Sequence, residues 1–318
     1  MGASFLVDLF SSTYYNKIKK LGDYMILDGK LVAQHIKDEL KEKIANVNRE
    51  VKLTIFQVGD NPASNTYVRN KVKACEEVGI TSEVVKLEDD DYNHYQLLPK
   101  YIEEETADGV MLQLPLPANW SEKFLTNLID LEQDADCLTT AALGEFYSNN
   151  NPNIAPCTAQ GVIDLLDYYG IDIDGKRALV IGRSNIVGKP VAHLLTCRNA
   201  TVTIAHSRTR KDDLLRLFAT SQIVVIATGK IDTISEEDAY QYSKDYRHDF
   251  YKDFNVIQDR VIIDVGINRD DNGKLCGDLS EDFKQKYSSM YSPVPGGVGP
   301  LTVANLLKNT CKLAHIVD

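Results

Sequence analysis

Apolar residues in this chain recur in two rhythms that alternate with each other. Ile36, Leu40, Ile44 and Val47 fall at helical spacing and predict an amphipathic helix over 36–47. The run 53–58 reads as a strand. Gly59, Asp60, Asn61 and Pro62 form a turn, after which Ser64 or Asn65 can cap a helix that ends near Gly79. On that helix Tyr67, Lys71, Ala74 and Val78 share one face, so Lys71 occupies a stripe that should be apolar. A strand over 81–87, an acidic turn over 88–91 and a helix over 95–105 come next. The segment 109–117, GVMLQLPLP, reads as a buried strand stopped by two prolines, with Gln113 the only polar residue in its apolar run. Ser121 caps a short helix, and the polar loop 133–136 leads to Gly144.

The tract 148–156, rich in Asn and Pro, is the candidate domain boundary. Beyond it Thr158 caps a helix reaching Tyr169, and a turn over 172–175 leads into RALVIGRSNIVGKP at 177–190. The first half of that stretch suits a strand buried on both faces of a parallel sheet. Gly182 and Gly188 allow a sharp turn, Ser184 and Asn185 are good helix caps, and Pro190 suits a first helical turn. Further strands are predicted over 201–205, 223–228 and 261–266, with a helix from about Asp212 and a tyrosine-rich surface excursion over 235–259. The Gly/Pro-rich piece 293–300 is predicted to be irregular, and an apolar helix over 302–314 follows it. Strands alternating with helices predict parallel α/β architecture.

Composition narrows the class. At 318 residues there is room for two domains, and a net charge of −11 argues against a nucleic-acid or anionic-membrane partner. Six cysteines, at 75, 137, 157, 197, 276 and 311, include no CxxC pair, so neither a zinc site nor a disulfide framework is expected; the reading is a cytoplasmic protein without a metal. No apolar run approaches the roughly 18 residues of a membrane span. The first 24 residues stand ahead of the organised sequence; they read as a short amphipathic extension or as the product of an upstream start, and less well as a transit peptide, having Asp8 and Asp23 and no arginine.

The glycine loop admits three readings. It can be an ordinary strand-to-helix turn. A Walker A loop fails, because five residues separate Gly182 from Gly188 and Pro190 lacks the hydroxyl that holds magnesium. The third is a dinucleotide loop with Ser184 in place of the middle glycine. At the end of the next strand stand His206, Ser207 and Arg208, where an acid would grip the ribose of NAD; with Arg183 nearby, a 2′-phosphate fits better and NADP is favoured.

Taken together, VGDNPASNTYVRNKVKACEEVGI (58–80), QLPLP (113–117), the DxD at 134–136, PCT (156–158), GRSNIVGKP (182–190), HSRT (206–209), VIIDVGINR (261–269) and PVPGGVGP (293–300) resemble the bifunctional methylenetetrahydrofolate dehydrogenase/methenyltetrahydrofolate cyclohydrolase family. The resemblance implies two three-layer α/β/α domains with a cleft between them. Residues 25–147 would form the folate-binding catalytic domain, rejoined by a C-terminal helix over 301–318, and 148–300 a Rossmann-like NADP domain through which a homodimer forms. It implies that 5,10-methylenetetrahydrofolate is oxidised with NADP and the methenyl product hydrolysed to 10-formyltetrahydrofolate. Lys71 would be the catalytic lysine, Gln113 its hydrogen-bonding partner and Asp136 the reader of the pterin ring, with Tyr67 stacking on the pterin. Leu114, Pro115, Pro295, Gly296 and Gly297 would line the folate. Gly182, Arg183, Ser184, Ile186, Val187, His206, Ser207, Arg208, Ala227, Thr228, Gly229, Val265, Gly266, Ile267 and Thr302 would contact NADP.

The residue types suit that chemistry. Hydride transfer needs orientation above all, whereas hydrolysis needs a base that is neutral near pH 7, and a lysine half-buried in a cleft has its pKa lowered. Departures from the family pattern cluster at the pterin end: Cys137 stands where glycine is usual, Ala141 and Ala142 cover the place of an asparagine, and PCT continues as Ala159 and Gln160. They leave open a dehydrogenase that has lost the hydrolytic step or prefers NAD. A folate- or nucleotide-binding protein without turnover is the other alternative.

Overall fold

The computed structural model describes residues 24–89, 92–245 and 260–317. Its strands are Met25–Ile26 (β1), Lys52–Val58 (β2), Thr81–Leu87 (β3), Gly109–Leu112 (β4), Arg177–Ile181 (β5), Thr201–Ala205 (β6), Ile223–Ile226 (β7), Val261–Asp264 (β8), Asn268–Arg269 (β9), Leu275–Cys276 (β10) and Met290–Tyr291 (β11). The chain divides into two compact units. One holds Ala33–Cys157 and Thr302–Asp318; the other holds the described residues up to Val32 and Thr158–Leu301.

In the first unit a parallel sheet runs in the order β3-β2-β4. β2 is buried almost throughout and β3, at the edge, is largely exposed, which explains why Glu83 and Lys86 are tolerated on it. The strand predicted over 109–117 ends at Leu112 because prolines cannot donate to a ladder; Gln113 N–H adds one last bond to Phe56 O at 2.8 Å. On the other side of β4 lies the loop at 133–137, where Val110 N–H reaches Gln133 O at 2.7 Å and Ala135 N–H reaches Val110 O at 3.2 Å. Helix Pro62–Val78 is capped by Asn61, whose side chain accepts from Ala63 and Ser64 N–H, and not by Ser64 or Asn65. The reason is local: Pro62 fits the first helical position, which puts the cap on the residue before it, three ahead of Ser64. Gly79, at φ 92°, ends the helix as expected. Helix Tyr92–Glu103 begins and ends earlier than predicted, with Pro99 inside it.

The second unit is a six-stranded parallel sheet in the order β1-β11-β8-β7-β5-β6. Its core includes Leu179, Ile181, Phe218, Val224, Ile226, Ile262 and Phe283. Residues 25–32, grouped by the sequence with the folate half, belong here: β1 pairs with β11, and Gly29 N–H donates to Gly296 O at 2.9 Å. A Cβ on Gly29 would stand 1.8 Å from Gly297 O, so only glycine permits that approach. The division falls at Cys157/Thr158, at the end of the tract 148–156. Helix Glu236–Asp245 occupies the start of the predicted surface excursion, whose remainder at 246–259 lies outside the described residues. Helix Val298–Leu313 starts inside the piece expected to be irregular, because Pro300 sits in its first turn, where a missing N–H costs nothing. No described helix is long and apolar enough to cross a membrane.

Arg260, fully buried at the start of β8, donates to Ala219 O at 3.0 Å, Ser221 O at 3.2 Å and Tyr287 O at 2.9 Å, and its guanidinium lies over the Phe218 ring. Burial pulls its pKa down to about 10, still well above neutrality. Replacing it by methionine would take this donor from the buried carbonyls of Ala219 and Ser221 and the half-buried one of Tyr287. Arg260→Met is expected to cost about 3 kcal/mol, read as a lower urea midpoint; an unchanged midpoint would contradict the role.

Candidate active site

Helix Pro62–Val78 buries Ser64, Val68, Lys71, Ala74, Cys75 and Val78. Of the face predicted from spacing, Lys71, Ala74 and Val78 are buried and Tyr67 is not; Lys71 is only 8% exposed. Its Nζ donates to Gln113 Oε1 at 3.0 Å and approaches Met111 Sδ at 3.2 Å. Gln113 Nε2 donates to Leu114 O at 2.7 Å, which turns the amide so that its oxygen faces the amine. Burial holds the Lys71 pKa below the ordinary 10.5, while the negative charge of Asp136 pulls it back up. Tyr67, one turn earlier, is 41% exposed.

Asp136 sits in a loop that the fold holds from three sides. Asp134, buried beside it, accepts Leu138 N–H at 2.9 Å and Thr139 N–H at 2.7 Å, and Thr139 in turn caps helix Thr140–Ser148. Asn309 Nδ2 donates to Ala135 O at 2.9 Å and Ala155 O at 3.0 Å, tying the loop to the segment before Cys157. The Cys157 thiol lies 3.4 Å from Ala135 O and is pushed well above its usual range, first by burial and then by Asp136. Cys137 is buried with φ 57°, a backbone conformation glycine takes at no cost. Ala142 and Ala159 are buried, and Gln160 donates along its own helix to Asp164 at 2.9 Å.

In the other unit the loops that follow β5, β6, β7 and β8 stand side by side at the carboxyl ends of neighbouring parallel strands. Gly182, at φ 130°, could not carry a side chain, since a Cβ would lie 2.3 Å from Ala227 O; one on Gly188 would lie 2.3 Å from Gly182 O. Ser184 Oγ accepts Val187 N–H at 3.1 Å and Gly188 N–H at 3.3 Å, so it braces the loop ahead of helix Gly188–Cys197 and is not the helix cap, a position held by Val187. His206 to Thr209 forms a tight turn, with Thr209 N–H on His206 O at 2.8 Å, that leaves Ser207 and Arg208 exposed, as is Arg183 in the glycine loop. Ile186 and Ile267 are exposed as well, Val187, Ala227 and Val265 half-buried, and Gly266 buried. Thr228 and Gly229 are exposed, but Asp278 accepts both of their amides. Pro295, Gly296 and Gly297 follow β11, whereas Thr302 belongs to the unit of Lys71. The structure thus gathers Lys71, Gln113 and Asp136 into one cluster and the nucleotide-type loops, Thr302 excepted, into another. Sequence reasoning missed Asp134, Asn309, Asp264 and Asp278, whose burial no spacing reveals. Among the described residues no group of three or more His, Cys, Asp or Glu is placed to hold a metal.

Comparison with known proteins settles the class. Residues 27–136 match the tetrahydrofolate dehydrogenase/cyclohydrolase catalytic domain, and residues 156–242 and 247–317 its NAD(P)-binding domain. The chain belongs to the tetrahydrofolate dehydrogenase/cyclohydrolase family. It is 41% identical to the bifunctional protein FolD of Bdellovibrio bacteriovorus over 298 residues, covering 92% of this chain and 96% of that one. Among solved structures, the bifunctional FolD of Campylobacter jejuni superposes with TM-score 0.81 at 36% identity, covering 92% of this chain and 98% of that one. The Trypanosoma brucei FolD, complexed with NADP cofactor and inhibitor, gives 0.80 at 34% identity with coverage of 92% and 97%. Within this fold the Lys71 amine is held deep in the protein interior.

That depth is testable on stability alone. Because the folded-state pKa of Lys71 is lowered, its contribution is most favourable above the unfolded value and is lost as pH falls through the folded one. Lys71→Met is therefore expected to match or exceed wild type in denaturant midpoint at pH 6, with a margin that narrows toward pH 10. A variant less stable at pH 6 than at pH 10, relative to wild type, would show the amine to be stabilising where it sits.

Proposed function

We infer that this chain oxidises 5,10-methylenetetrahydrofolate to the methenyl cation with NADP and hydrolyses that cation to 10-formyltetrahydrofolate. The observation that carries the reading is the buried Lys71 amine bonded to Gln113, with Asp136 close enough to act on its charge. The nucleotide-type loops support the cofactor: Gly182 and Gly188 pack so closely that the backbone itself forms the cradle, and Arg183, Ser207 and Arg208 offer donors to a 2′-phosphate. When bound, NADP supplies the hydride acceptor. Gly182, Arg183, Ser184, Ile186, Val187, His206, Ser207, Arg208, Ala227, Val265, Gly266 and Ile267 would hold it, with Thr228 and Gly229 at its margin.

Each step then falls to particular side chains. Asp136 accepts from the pterin ring N–H and amino donors, Tyr67 offers its exposed ring for stacking, and Leu114 and Pro115 flank the folate. Oxidation transfers a hydride from the bridging carbon and releases no proton. In hydrolysis neutral Lys71 takes a proton from water as the water oxygen bonds that carbon. The carbon–N5 bond then breaks, Lys71 returns the proton to N5, and the hydroxyl proton leaves to solvent as the formyl group forms. Gln113 holds the amine through both transfers without adding charge.

Lys71→Met is expected to lower methenyltetrahydrofolate hydrolysis by about 10²- to 10⁴-fold; wild-type hydrolysis in the variant would sink the assignment. In wild type the hydrolytic rate is expected to rise with pH through the lowered Lys71 pKa and to level off below 10.5. Arg208→Ala is expected to raise KM for NADP by roughly tenfold and leave KM for NAD unaltered, in parallel steady-state assays.

The same reading includes a homodimer. β6 ends its sheet with Thr201, Thr203 and Ile204 exposed, Ile204 by 40%, so its backbone edge is open to a second copy. Light scattering is expected to give twice the 35.6 kDa chain mass, and Ile204→Asp to shift it toward one chain. The six free cysteines suit a reducing compartment such as the cytoplasm.

A further inference from the structure

Asp264 and Asp278 are buried carboxylates that take no part in the chemistry above. Each lies against the glycine beside the other. A Cβ on Gly266 would stand 2.1 Å from Asp278 Oδ1, and a Cβ on Gly277 would stand 2.0 Å from Asp264 Oδ2. Asp264 ends β8; its Oδ1 accepts Gly266 N–H and Asp278 N–H, both at 3.0 Å, and its Oδ2 accepts Leu279 N–H at 3.1 Å with Lys284 Nζ 3.5 Å away. Ser292 Oγ accepts the Asp264 N–H at 2.8 Å, which joins the segment before Pro293 to the same knot.

Asp278 carries this knot outward. Its Oδ2 accepts Thr228 N–H at 2.6 Å, the Thr228 hydroxyl at 2.9 Å and Gly229 N–H at 3.1 Å, while its Oδ1 accepts Asn268 Nδ2 at 2.8 Å. One buried anion thus fixes the loops after β7 and β8, both of which surface at the carboxyl ends of central strands. The loop after β7 also touches the glycine loop, because Ala227 O is the atom that forbids a side chain on Gly182. A shift of 227–229 therefore moves one wall of the dinucleotide cradle. The donors converge on a single carboxylate, so an amide of the same size cannot replace it: its NH2 group meets N–H or O–H donors wherever it points.

We propose that Asp278 is a positioning residue for NADP, which it never touches, acting through Thr228, Gly229 and Asn268. This rests on the NADP reading above. The test compares the full-length wild type, Asp278→Asn and Asn268→Ala by NADPH fluorescence titration, by nucleotide-free hydrolysis of methenyltetrahydrofolate and by thermal midpoint. Asp278→Asn is expected to weaken NADPH binding by about tenfold or more, the loss typical of a charge-assisted hydrogen bond, with hydrolysis within about twofold of wild type. Unaltered NADPH affinity, or an equal loss of affinity and hydrolysis, would overturn the proposal. Should Asp278→Asn fail to fold, Asn268→Ala removes one donor from the same carboxylate; about threefold weaker NADPH binding with normal hydrolysis is expected, and normal NADPH affinity there overturns the proposal equally. A wild-type chain that binds no NADPH refutes the parent reading, and this one with it; normal wild-type binding with unaltered variants refutes this one alone.

Discussion

Keeping an amine out of water is the constraint on which the folate-side unit depends. A solvated lysine stays protonated far above neutrality, and a fully isolated one in an apolar core would be a heavy cost without a function. Lys71 lies between these limits. Burial pushes it toward neutrality, Asp136 opposes that, and Gln113 supplies a fixed neutral acceptor. The helix can offer such a position because its other buried residues are small or apolar, and β4 can meet it because Met111 and Gln113 stand at the end of a strand whose ladder has just stopped. Stopping the ladder at Leu112 is the work of the prolines that follow. The same sequence feature that ends the strand thus frees Gln113 to face the amine.

The nucleotide-side unit solves a different problem, that of bringing backbone close to a polyanion. Its means is close approach with no side chain between: Gly182 against Ala227, Gly188 against Gly182, Gly266 against Asp278 and Gly277 against Asp264. Two of these four contacts are between backbones, and two place a carboxylate where a Cβ would be. Backbone contacts shape the loop, and the carboxylates hold its neighbours in register by accepting amides that would otherwise end a strand unpaired. A net charge of −11 makes this arrangement more demanding, since buried acids in an acidic chain raise the cost of an anionic guest unless fully bonded.

Much of this was legible in the sequence, and what was not has physical reasons. Lys71 could be singled out because helical periodicity holds over three turns, and Gln113 because one amide interrupts an apolar run. The glycine loop was legible as a junction but not as a cofactor site until His206, Ser207 and Arg208 were added. Ser64 and Asn65 are equally good caps by residue type, and it is Pro62 at the first helical position that selects Asn61. Residues 25–32 pack with the second unit although the catalytic-domain match begins at residue 27; nothing in the sequence signals this packing, because a two-residue strand has no period and its partner Met290–Tyr291 lies more than 260 residues away. Asp134, Asp264, Asp278 and Asn309 share one property: each is polar in sequence and buried in the fold, and only tertiary partners distinguish it from a solvated residue.

The departures from the family pattern can now be weighed on their surroundings. Gln160 is turned onto Asp164, and Ala142 and Ala159 are small buried residues in or beside helical first turns, so none of the three alters the bonds to Lys71. Cys137 is the exception worth following. It holds φ 57°, which costs a side-chain-bearing residue on the order of 1 kcal/mol, immediately after Asp136. Its thiol is buried 3.8 Å from Ile154 O, and burial, reinforced by Asp134 and Asp136, keeps it protonated. The loop therefore does not relax into a shape of lower strain, because Asp134 fixes it at 138–139 and Asn309 at 135. Strain held in place by neighbours leaves Asp136 where a glycine at 137 would leave it, so the substitution bears on the stability of the loop and not on the kind of reaction it serves.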